Sequence, residues 1–247
     1  MKKALLKPRR DAAAQLNDIE AIYALLERRY VMKMTTEIHV NGIIITNDKL
    51  ILIMVLAHKL LNTGDILLFR GDSNDKWYDT LIEDITNSPY EHAAMVLKDP
   101  DFCAHDFCAS GLYVIETDGS TGHTHVVTLD DMLIGRRWVD VRCWQDVSYN
   151  NEFQTKLLDF YEEVEHKPYD YCPCDWLKAG LWSMGCRCIG KVKRHDKNFW
   201  CSALVACAAT KIGLLPENTD WSNMTPADLA KLKVETPNVL GDLERLK

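Results

Sequence analysis

The chain has 247 residues, 47% of them hydrophobic and 26% charged, with 29 Lys and Arg against 36 Asp and Glu for a formal net charge of −7. This is the composition of a globular chain with ample apolar surface for a core. Its acidic balance argues against sequence-independent nucleic-acid binding, which rests on neutralising phosphates. The longest apolar stretch, Leu50 to Ala57, falls far short of the ~20 residues a membrane span needs. Met1 to Arg10 is charged with no apolar run behind it, unlike a signal peptide. Nine cysteines without an export signal point to a reducing, cytoplasmic compartment in which thiols serve packing, metal binding or catalysis.

Taken in chain order, residues 11–34 read as an amphipathic helix, with Leu16, Ile19, Ile22, Tyr23, Leu26 and Tyr30 at three- and four-residue steps and Asp11 as a cap. Glu37–Val40 and Ile43–Thr46 flank Asn41-Gly42, the strongest short hairpin signal. Asn47 or Asp48 caps a second helix running to about Leu61. These elements make residues 1–62 a helix–hairpin–helix extension, available to a protein partner, ahead of a main domain at 63–247. Short strands are expected over residues 66–69, 92–97, 111–117, 125–128 and 138–144, and helices over 151–165, 200–212 and 226–233, the last with Pro226 in its first turn. Strands grouped before helices predict an α+β domain built on an antiparallel sheet. Residues 169–197, rich in Cys, Gly and Lys, are the least regular part.

Cys201 opens a helical pattern, Cys-Ser-Ala-Leu-Val-Ala-Cys-Ala-Ala. A cysteine in a first turn faces unpaired backbone N–H groups and the positive end of the helix dipole, both of which favour the nucleophilic thiolate. Packing is the competing reading, since cysteine is often buried, and it is the reading adopted for Cys207 deeper in the helix. A thiolate nucleophile needs a base and a group to orient it. His92 begins an apolar strand directly after Ser-Pro-Tyr-Glu, and Glu116 is the polar break in Tyr-Val-Ile-Glu-Thr. If those strands are antiparallel neighbours, the two side chains meet and the carboxylate holds the imidazole in place. His123 and His125 share one strand face but lack an evident third ligand, and they are taken as surface residues. Cys172-Pro-Cys174 and Cys186-Arg-Cys188 together offer four thiolates, a candidate structural zinc site whose one-residue spacings depart from the usual two to four; free thiols flanking a short packed helix are the other reading.

Four segments in order resemble the circularly permuted branch of the NlpC-type papain-like superfamily, which includes YiiX-like bacterial proteins and a poxviral group. They are Gly64-Asp-Ile-Leu-Leu-Phe69, Ser88-Pro-Tyr-Glu-His-Ala-Ala-Met-Val96, Val114-Ile-Glu116 and Trp200-Cys-Ser-Ala-Leu-Val205, and they cover roughly residues 63–230. Lys167-Pro-Tyr-Asp170 is similar to the Gly-x-Pro-Tyr-Asp stretch of relatives, without the glycine. The resemblance implies a permuted papain-like fold, with Cys201 as nucleophile, His92 as general base and then acid, and Glu116 as orienter. It implies a peptidase or amidase that forms an acyl-enzyme, needs no cofactor for catalysis and takes a peptide, amide or acyl substrate. The backbone N–H of Cys201 is a natural oxyanion donor. The related lecithin:retinol acyltransferase group makes a thiol acyltransferase or lipase the alternative, and a non-catalytic structural protein on the same scaffold is a third reading. Permuted members from large DNA viruses place such a chain in the host cytoplasm or the virion. Nothing carries over to residues 1–62 or to the four cysteines.

Overall fold

The computed structural model describes residues 38–40, 43–45, 60–70, 86, 88–100, 111–133, 138–186, 197–234 and 238–246. The chain divides into two compact units, Met1–Ala57 and His58–Lys247. In the first, strands β1 (Ile38–Val40) and β2 (Ile43–Ile45) pair antiparallel with Val40 opposite Ile43. That register leaves Asn41-Gly42 as a two-residue connection, the length such a dipeptide favours. The helices expected on either side lie outside the described residues, apart from Leu60 and Leu61.

The second unit is α+β. Strands β3 (Ile66–Arg70), β4 (Tyr90–Lys98), β5 (Leu112–Thr117), β6 (Thr124–Thr128), β7 (Val139–Gln145) and β8 (Val239–Arg245) form one antiparallel sheet in the order β6-β5-β4-β3-β7-β8. Five helices accompany it among the described residues: α1 (Leu129–Leu133), α2 (Asn151–Val164), α3 (Pro173–Ser183), α4 (Cys201–Lys211) and α5 (Pro226–Lys231). The central strands read as near-continuous apolar runs because β4 and β5 are buried along almost their whole length and β3 up to Phe69. Ile66, Leu68, Ala93, Met95, Tyr113 and Ile115 share a core with Phe153, Leu157 and Phe160 of α2 and with Ala203 to Ala209 of α4.

Helix signals in the sequence act as expected. The Asn150 side chain accepts from the Phe153 N–H at 3.0 Å and starts α2. Thr225 and Asp228 form a reciprocal capping box on α5, with Pro226 at its first position. Two elements, α1 and β8, escape the sequence reading, and α3 matches the short packed helix that is the other reading of the cysteine-rich segment. The five-residue α1 is too short to show a helical period. Within α3, Pro173 suits the first turn but Gly180 blurs the pattern. Charged, glycine-bearing β8 is an edge strand on β7, and a Cβ at Gly241 would lie 3.0 Å from the Cys143 carbonyl oxygen. Arg142 fixes this edge by donating to the carbonyls of Leu229, Ala230 and Leu232 at the end of α5 and of Gly241 in β8.

The Gly64-Asp65 pair that opens β3 is a structural pin. Gly64 has φ +96°, and a Cβ there would meet Leu214 Cδ1 at 2.6 Å. Asp65 is fully buried and accepts from the backbone N–H of Asn62 at 2.8 Å and of Trp144 at 2.9 Å. Burial pushes its carboxyl up to about 6 against the pull of those bonds. Asp65→Ala orphans two N–H groups at about 1–3 kcal/mol each, partly offset by removing the buried carboxylate, so a net loss of about 2 kcal/mol is expected. Because folding raises this pKa above 3.8, the Asp65 contribution declines as pH rises toward about 6. Urea unfolding is therefore expected to show a smaller wild-type advantage over Asp65→Ala at pH 7 than at pH 5.

Candidate active site

The start of α4 is set from outside the helix. Trp200 is its extended N-cap residue and makes no side-chain cap bond, so the first-turn N–H groups of Cys201, Ser202 and Ala203 have no intrahelical acceptor. The Trp200 indole and the Ser202 hydroxyl both donate to the Met224 carbonyl, at 3.1 and 2.8 Å. Upstream, the Phe199 N–H donates to the Pro168 carbonyl at 3.2 Å, and the Asp170 N–H donates back to Phe199 at 2.8 Å. Cys201 is thereby held nearly buried at the first position of the helix.

Strands β4 and β5 are antiparallel neighbours with Met95 opposite Ile115, a register that puts His92 and Glu116 on the same side of the sheet. Their side chains meet, Nε2 to Oε2, at 2.6 Å, and both are buried. Phe69, the cross-strand partner of His92 on β3, packs its ring 5.5 Å from the imidazole. Cys201 is near enough to act on the same imidazole and raise its pKa. With Nε2 committed to Glu116, Nδ1 is the nitrogen left for the sulfur. The structure thus brings together the three residues singled out in the sequence.

The electrostatics follow from that packing. Burial by itself drives the His92 pKa down, but Cys201 and Glu116 more than offset it and hold the imidazole up at about 10. Burial likewise drives Glu116 up, and hydrogen bonds from His125 and His92 reverse this and pull it to about 2. The pair is therefore an imidazolium–carboxylate contact at neutral pH.

His125 is not the surface residue the sequence suggests. It is the direct cross-strand partner of Glu116, and its Nε2 lies 3.2 Å from Glu116 Oε1. Its side chain is only 16% exposed. Only the register shows this: with Thr117 paired to Thr124 across the Asp118–His123 connection, Glu116 falls against His125. The ligand atoms of Glu116, Asp118 and His125 lie within 4.8 Å of one another, the one such His, Cys, Asp and Glu group among the described residues. Hydrogen bonds account for that proximity, since Asp118 accepts from the N–H groups of Ser120 and Thr121 and from the Ser120 hydroxyl.

The cysteine-rich segment behaves differently. Cys172 and Cys174 are exposed at the start of α3 and Cys186 lies just past its end. The intervening 11 residues of helix span roughly 16 Å at ~1.5 Å per residue. The three thiols accordingly do not converge, and Cys188 lies outside the described residues. Cys207 is buried in the core, as expected.

No protein-family model matches the chain, and no curated protein matches it in sequence. Among the described residues no helix is long and apolar enough to cross a membrane.

Opposite shifts at Glu116 and His92 set a pH window. The lowered Glu116 pKa contributes stability above 4.5 that is lost as pH falls toward about 2. The raised His92 pKa contributes stability below 6.5 that is lost as pH rises through about 10. The free energy of unfolding of wild type relative to Glu116→Gln is expected to be greatest between pH 4.5 and 6.5 and to shrink on both sides. Denaturation at acid, intermediate and alkaline pH checks this; a difference that stays flat would contradict the buried ion pair.

Proposed function

We propose that the unit His58–Lys247 is a cysteine-nucleophile hydrolase of amide bonds with a permuted papain-like arrangement. The observation that carries this reading is the buried 2.6 Å His92–Glu116 contact, with the same imidazole under the electrostatic influence of a cysteine at an uncapped helix start. The chain order His92, Glu116, Cys201 is the permuted one, and the antiparallel sheet sharing a core with the cysteine-bearing helix suits it.

In the proposed reaction Cys201 Sγ attacks the substrate carbonyl carbon as its proton resides on His92. The new C–S bond leaves an oxyanion facing the Cys201 N–H. Collapse breaks the C–N bond, and His92 delivers its proton to the departing amine. Water then attacks the thioester with His92 as base, the C–S bond breaks, and the carboxylic product leaves. Glu116 keeps the imidazole oriented and balances its charge in every imidazolium state. An acyltransferase would use the same steps with a hydroxyl or amine acceptor in place of water.

Cys201→Ala is expected to abolish hydrolysis while shifting the melting temperature by no more than about 5 °C, because a single small buried group is lost. Iodoacetamide labelling near pH 6, followed by mass spectrometry, is expected to modify Cys201 fastest. His92→Ala should slow that labelling at least about tenfold, and turnover of model amides by about 10²-fold or more. Absence of a preference for Cys201 in the folded protein would favour the non-catalytic scaffold, and turnover of esters alone would favour the acyl-lipid alternative.

A further inference from the structure

We propose that His125 is a positioning residue that acts as an imidazolium clamp, locking the second oxygen of Glu116 so that the first is presented to His92. This deepens the catalytic reading and rests on it. The geometry is specific. His125 Nε2 lies 3.2 Å from Glu116 Oε1, an ion-pair distance, and Nδ1 faces the backbone carbonyl oxygen of His123 at 3.0 Å. A neutral imidazole has one N–H and would turn a lone pair toward one of those two acceptors; only the imidazolium donates to both. Thr121 Oγ lies 3.2 Å from Nδ1 and 3.2 Å from that same carbonyl, so its single proton serves one or the other. Charging His125 leaves that hydroxyl free to donate to the carbonyl.

The surroundings agree. Glu116 and Asp118, both from the β5 side of the turn, are carboxylates facing His125. Opposing them are the His92 imidazolium on the far oxygen of Glu116 and, on the outer side, the His123 ring at 5.6 Å. The His166 ring lies 5.9 Å beyond His123 and has Glu165 3.8 Å away. Burial works against charging His125, and the bonds to Glu116 and His123 outweigh it, raising its pKa. Glu116 is thus held at both oxygens by donors on neighbouring strands, and rotation about its last side-chain bond would break two charge-assisted contacts instead of one.

Imidazole 15N–1H spectra of the full chain test the clamp directly, with the His125 signals assigned by their loss in His125→Gln. At pH 7.5 both His125 nitrogens are expected to be protonated in wild type and to turn neutral-like in Glu116→Gln. A neutral His125 in wild type at that pH would overturn the proposal. In the reactivity arm, His125→Ala is expected to slow Cys201 alkylation about tenfold. His125→Gln, whose amide donor reaches toward the position of Nε2, should recover the rate to within about threefold of wild type. An unchanged rate in His125→Ala, alongside slowing in His92→Ala, would remove the clamp and leave the catalytic pair standing. If His92→Ala has no effect, the catalytic reading itself falls, whatever the His125 spectra show. Should His125→Ala unfold, the wild-type spectra and His125→Gln still decide the question.

Discussion

A carboxylate buried within a sheet, one strand in from its edge, is the constraint around which this molecule is arranged. Glu116 belongs to β5, whose residues are buried from end to end, and an isolated carboxylate there would take up a proton. It stays ionised because each oxygen meets an imidazole, one from β4 and one from β6. Both contacts depend on strand register. A one-residue slip of β6 would turn His125 to the opposite face, and a slip of β4 would do the same to His92. The hydrophobic pattern that fixes these registers therefore also fixes the charge state of the site.

The cysteine comes from a different part of the fold, and its placement depends on a backbone connection between β6 and α4. The Thr124 N–H donates to the Lys167 carbonyl at 2.7 Å, and the His166 N–H donates to the Thr124 carbonyl at 3.2 Å. The Tyr169 N–H donates to Gly122 at 2.9 Å, and the same segment pairs with Phe199 immediately before the helix. Lys167-Pro-Tyr-Asp170 is thus a strut that links the strand carrying His125 to the residue preceding Trp200. Motif residues that never touch a substrate can be required simply because they set this distance. Gly64 and Asp65 are the same kind of residue at the opening of β3, where one supplies a backbone angle and the other satisfies two buried donors.

Much of the second unit was legible because its strands are short apolar runs separated by turn residues and because α2 and α5 carry side-chain caps. His92, Glu116 and Cys201 were legible for a related reason: each is a chemically capable residue interrupting an apolar stretch, a position that costs stability unless it is satisfied. What escaped depends on pairings that local pattern does not record. His125 looked like a surface residue because its partner lies on another strand, and only register brings them opposite. The edge strand β8 is defined by what it pairs with, since its own sequence is charged. The four cysteines were close in sequence, but the helix between the two pairs separates the first pair from Cys186.

The helix that carries Cys201 has an unusual surface, and this bears on how the sulfur reaches the imidazole. Every residue from Cys201 to Ala209 is buried, so α4 has no solvent face along that stretch and runs through the core. Four of those nine residues are alanine. Small side chains let a helix lie close to the strands it packs on, because packing at interior density leaves no gap for larger ones to fill. Larger apolar residues at these sites would satisfy burial equally well but would push the helix axis outward and carry Cys201 away from His92. Hydrophobicity accounts for the burial of α4. The smallness of its residues accounts for its closeness, and closeness is what the proposed chemistry requires.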